Sequence, residues 1–153
     1  MKHTRESVLD RVAHEFALLE EVVSKLTPSD WKRPVGRPES KDPWTLKDAL
    51  AHVIHWKAES ARVFRREKRP AESAALAKMS INESNHRVYE QWKDRPVRDV
   101  LAWHRRVQDE LVQAIRNAPD EWFSRRDRSE QWPFDAVGHS TEHRMKDLER
   151  VSK

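Results

Sequence analysis

Apolar side chains recur three and four positions apart along four long stretches of this 153-residue chain, with prolines at the breaks between them. That spacing lines one face of an α-helix, and a chain patterned this way must bury those faces against one another. The first stretch, about Thr4 to Leu26, aligns Val8, Val12, Phe16, Leu19, Val23 and Leu26, and Thr27–Pro28–Ser29–Asp30 ends it. A polar loop with Pro34, Gly36, Pro38 and Pro43 follows, long enough to wall or cover a pocket. The second helix is expected to start near Trp44–Thr45, with Thr45 as its cap and Asp48 three residues on as the acidic half of a capping box. Its stripe is Leu46, Leu50, Val53, Ile54, Ala61 and Phe64. Beyond Pro70 a polar, alanine-rich crossover leads to a short helical piece carrying Ile81, Val88, Tyr89 and Trp92. Pro96 suits the first turn of the third helix, where a missing N–H costs nothing. That helix uses Val97, Val100, Leu101, Val107, Leu111, Ala114 and Ile115 and stops before Pro119; the last runs from near Pro133 to about Val151. No segment alternates with the period of a strand. The expected fold is all-α, a four-helix bundle with a long crossover between helices two and three, in a single domain over residues 1–153.

Composition narrows the function. Charged and hydrophobic residues each make up 37%, as amphipathic helices with solvated outer faces require. The net charge of +4 reflects 30 basic residues interleaved with 26 acidic ones, and no helix carries an unbroken basic stripe, so no nucleic-acid partner is expected. There is no cysteine, so a bound metal must rest on histidine nitrogens and carboxylate oxygens. The opening MKHTRESVLDRVAHE lacks the apolar run of a signal peptide, and no segment approaches the roughly 20 apolar residues of a membrane span. A cytoplasmic protein with no membrane partner is expected.

Helical phase separates the histidines. At about 100° per residue, His52 falls roughly 120° from the centre of the second helix's stripe, at the edge where bundle ligands sit, while His55 falls nearly opposite. The last helix offers His139, His143 and Asp147 at four-residue spacing, so either neighbouring pair could bind one ion from one face. Taking Val137, Met145, Leu148 and Val151 as the stripe, Asp147 lies about 95° and His143 about 135° to the same side, and His139 almost opposite. Geometry therefore favours His52, His143 and Asp147, with His139 as the alternative. His104 sits in the middle of the third helix's stripe, as a hydrogen-bonded core histidine or as a group facing the pocket.

The run Trp44-Thr-Leu-Lys-Asp48-Ala-Leu-Ala-His52-Val-Ile-His-Trp56 resembles the second-helix signature of the DinB/YfiT-like superfamily. Ile81-Asn82-Glu-Ser-Asn85, with Val88-Tyr89, Arg95-Pro96 and Val100-Leu101, resembles the third-helix approach of its ClbS/DfsB-like and related branches. Gly138-His-Ser-Thr-Glu-His143-Arg-Met-Lys-Asp147 resembles their last helix. The likeness runs from about Trp31 to the C-terminus. It implies a bundle with a nickel- or zinc-type site between helices two and four. It also implies thiol-dependent transfer or isomerisation, or hydrolytic self-protection against a reactive metabolite.

Two functions follow as expectations. An enzyme would use the ion to activate water or a low-molecular-weight thiol against a small-molecule substrate. Asn82, Asn85 and Tyr89 would orient that substrate between Trp44, Trp56 and Trp103, with His104 a further candidate contact. The alternative is a non-catalytic protein that sequesters the compound. Trp92 and Trp103 are candidates for a homodimer interface.

Overall fold

The computed structural model describes residues 4–35, 41–65, 80–124 and 137–152, which form helices and no strand. The long helices are α1 (Arg5–Ser24), α3 (Leu46–Phe64), α4 (Ser80–Trp92) and α5 (Val97–Asn117). Short ones are α2 (Pro28–Trp31) and α6 (Glu121–Ser124). The C-terminal helix is α7 (Gly138–His143), a π-helical turn at Arg144–Leu148, and α8 (Glu149–Ser152). The bundle is the packing of α3 on α5, α1 on α5, and the C-terminal helix against α3 and α1, with α4 laid on α3. The expected crossover and the opening of the last helix near Pro133 lie outside the described residues. Among the described residues no helix is long and apolar enough to cross a membrane.

Local chemistry sets the ends. Thr4 and Ser7 cap α1 reciprocally. Thr27 and Asp30 do the same for α2, whose Pro28 occupies the first turn. This short helix is a correction to the expected loop, and it carries Trp31 into the core. At α3 the Thr45 N–H and Oγ1 both donate to Asp48 Oδ2, at 2.8 and 2.9 Å. The preceding chain pins that end: Leu46 N–H donates to Arg33 O and Val35 N–H to Trp44 O.

The core has two apolar ends. One gathers Val8, Val12, Ala61, Phe64, Leu111 and Ile115; the other gathers Leu19, Leu46, Leu50, Ile54, Trp92 and Leu148. Between them lies a buried polar belt of Glu15, Lys57, Ser60, His104, Gln108, Ser140 and Arg144. Trp92 and Trp103 stack on one another within the chain, with ring centroids 4.2 Å apart and planes 8° apart. Trp103 therefore packs against Trp92 as part of the second cluster.

One expectation about the last helix is corrected. Met145, assigned to the apolar stripe, is 57% exposed, while Ser140, His143, Arg144 and Asp147 are buried together with Leu148. The inward face of this helix is polar, so hydrophobicity alone gives the wrong phase. Its buried charges are stable because they are hydrogen-bonded to one another and to α1.

Candidate functional site

His52 lies on α3 one turn beyond Asp48, and across the bundle it meets His143 of α7. The two rings make an edge contact with centroids 4.8 Å apart and planes at 74°. His143 Nδ1 is 2.9 Å from Asp147 Oδ2, which the π-helical turn carries to the same side. All three are buried, at 6, 3 and 5% exposure for His52, His143 and Asp147. Trp44 and Trp56 flank His52, with centroids at 4.9 and 6.3 Å. The Trp56 indole N–H donates to Asn85 Oδ1 at 3.3 Å, tying α4 to this wall. The expected trio thus comes together inside the bundle with two of its expected aromatic neighbours and Asn85.

Of the remaining expected contacts, Tyr89 and His104 fall elsewhere. Tyr89 lies with Asp48 on the lining of a separate cleft. His104 is fully buried in the polar belt, its Nε2 2.9 Å from Lys57 Nζ. His139 and Asn82 stand on described helical backbone, but their side chains lie outside what is described. His55 is half-buried against Trp56, 5.1 Å between centroids.

Polar residues that the stripes concealed support the trio from behind. Glu15 of α1 accepts from Arg144 Nε and Nη2 at 2.7 and 3.1 Å, and from Ser140 Oγ at 3.4 Å. Arg144 also pairs with Glu149, and these contacts, Glu15 foremost, raise the guanidinium pKa further. The helix bearing His143 is thereby anchored to α1 by a forked ion pair. Lys57 of α3 is 3% exposed and bonds His104 Nε2 and Gln108 Oε1, both at 2.9 Å. Burial pushes its ammonium down to about 7, against the pull of Glu15 and Glu20. Burial, and then the Lys57 charge, hold His104 far below the ordinary imidazole range, so the ring is neutral and accepts from Lys57.

Two imidazoles and a carboxylate make a set suited to a borderline divalent ion. The 2.9 Å between His143 Nδ1 and Asp147 Oδ2 is close to the separation of two donors bound at right angles to one ion, about 3 Å for bonds of about 2.1 Å. As the side chains stand, that contact is closed by a proton, which a metal would displace. No three His, Asp or Glu groups among the described residues are arranged round one point, so ligation by this trio requires the His143–Asp147 contact to open. Trp44 Nε1, beside His52, is a buried donor with no acceptor among the described residues.

Residues 12–146 match the family described as the mycothiol maleylpyruvate isomerase N-terminal domain. The chain belongs to this family. Its members share the DinB/YfiT-like four-helix architecture, as seen in the packing of α1, α3, α5 and the C-terminal helix. No curated protein and no solved structure matches the chain.

Proposed function

We propose that this protein is a divalent-metal-dependent enzyme that brings a low-molecular-weight thiol, or water, onto a small reactive metabolite. The observation that carries the reading is the meeting of His52 with the His143–Asp147 pair at one buried point reached from two helices. The family's name supports a thiol of the mycothiol kind, and the absence of cysteine means that such a thiol comes as a cosubstrate.

His52, His143 and Asp147 would hold the ion, of nickel or zinc type, with His139 in place of Asp147 as the alternative set. The chemistry such an ion supplies is the acidification of a thiol or of water near neutral pH. The chain's own groups do the rest. Arg144 locks the helix that bears His143 and Asp147 to Glu15. Trp44 and Trp56 give flat apolar walls that exclude water, and Asn85 holds Trp56 in place. Asn82, on the same helix as Asn85, would orient substrate. The domain acting here is the whole of 1–153.

Elemental analysis of the purified protein tests this. About one ion per chain is expected, lost in His52→Ala and in His143→Ala. Unchanged metal content in His52→Ala removes that residue from the site. A thiol-transfer screen with and without chelator then reads the chemistry, with product expected only from the metal-loaded protein. A protein that binds the metabolite equally well with and without chelator, and yields no product even when metal-loaded, is instead a sequestering protein of the ClbS/DfsB type.

A further inference from the structure

A cleft of about 630 Å³ opens where the α1–α2 corner, the start of α3 and the α4–α5 turn meet. Its volume lies within the range of small-molecule sites, roughly 300–1,000 Å³. None of His52, His143 and Asp147 lines it. Asp48 does, and Trp44, which packs on His52, precedes it by one turn, so the Trp44–Asp48 turn is a wall between the two places.

The lining has two chemistries. Leu26, Trp31, Pro43, Pro96 and Val97 provide an apolar floor. Around it stand Lys32, Lys47, Lys93 and Arg95 against only Asp48 and Asp94. Asp48 is turned inward, its Oδ2 held by Thr45 N–H and Oγ1, and its Oδ1 is a buried acceptor with no partner among the described residues. Lys47 Nζ donates to Lys93 O and Arg95 O at 2.7 and 2.5 Å, which covers the negative end of α4. The positive end of the 19-residue α3 adds to the field at the same place. Lys93 and Arg95 are exposed; Lys93 also pairs with Glu90 at 3.1 Å, and Arg95 lies on the Trp92 face at 4.6 Å and pairs with Asp99 at 3.4 Å. Tyr89 completes the wall. Burial first, and then the Asp48 charge, raise its phenol pKa, so it remains a neutral donor.

We propose that this cleft is a second binding site, for a small organic anion whose apolar body rests on Trp31 and whose acid group meets Lys93, Arg95 and the Tyr89 hydroxyl. The site works without the ion at the histidine pair. Cations border an apolar floor, so an amphipathic acid satisfies both at once.

Calorimetric titration with benzoate, phenyl phosphate and benzyl alcohol separates the terms. Both anions are expected to bind at least about tenfold tighter than the alcohol, as a charge-assisted hydrogen bond implies. Whichever anion binds more tightly identifies the acid as a carboxylate or a phosphate ester. The double variant Lys93→Gln, Arg95→Gln changes only exposed side chains, and its unfolding temperature serves as the folding check; it should lose the preference for anions. Trp31→Ala should weaken all three probes. His52→Ala should leave benzoate binding unchanged even if it empties the metal site. Equal binding of acid and alcohol overturns the proposal, as does no binding of any probe. So does benzoate binding that disappears with His52 and survives the loss of Lys93 and Arg95.

Discussion

Lys57 is the residue where burial and charge conflict most directly. Its ammonium has two neutral acceptors, His104 and Gln108, and the face of Phe16 at 5.1 Å, but no carboxylate within ion-pair distance among the described residues. The folded protein binds its proton with a pKa of about 7, against 10.5 for an ordinary lysine. Between those values the unfolded chain holds a proton that the folded chain does not, so stability rises with pH across that window; below about pH 7 the cost of the buried charge is present in full. Replacing Lys57 by Met removes this dependence. In denaturant unfolding the wild type should therefore gain on Lys57→Met as the pH is raised from about 7 to about 10. Parallel profiles would mean that water or a counter-charge reaches the amine. The residue was partly legible in the sequence. Glu15 falls between Val12 and Leu19, Lys57 between Ile54 and Ala61, and His104 with Gln108 between Val100 and Leu111, each on an inward phase. Three helices carrying polar groups midway along their stripes is a readable signal. What the sequence could not supply is the partnering, because Glu15 and Arg144 are 129 positions apart.

Among the elements, α3 does most to position the site, since it carries Trp44's neighbour Thr45, then Asp48, His52, Trp56 and Lys57 in under four turns. Its start was legible because capping is local chemistry: a threonine, an acid three residues later, and a stripe beginning between them. Thr45→Ala removes the Oγ1 donor to Asp48 and should lower the unfolding free energy by about 1 kcal/mol, read by denaturant titration. A loss near zero would show that the Thr45 backbone N–H and the Arg33–Leu46 contact already fix that end. The last helix was less legible. Its inward residues are Ser140, His143, Arg144 and Asp147, so an apolar count latched onto Met145 and set the wrong phase. A π-helical turn at Arg144–Leu148 has no local proline or glycine to announce it. His143 and Asp147 nevertheless stand together as their spacing implied, because four-residue spacing survives an error of phase.

At the scale of the molecule, the all-α class followed from period alone, and the meeting of His52 with His143 followed from the superfamily resemblance and the His52 flank position together. The cleft beside Asp48 did not, since it is assembled from three separate corners of the chain. The polar belt across the bundle has a further consequence. Val12 belongs to one oily half and Leu50 to the other, with Glu15, Lys57 and His104 between. Truncating both to Ala should give losses that sum, within about 0.5 kcal/mol, to those of the single variants, whereas Glu15→Gln combined with Arg144→Gln should depart strongly from additivity. Energetically the protein is then two compartments sharing a bulkhead. Either compartment can drift in side-chain volume over evolutionary time without consulting the other, while the bulkhead must change in concert or not at all.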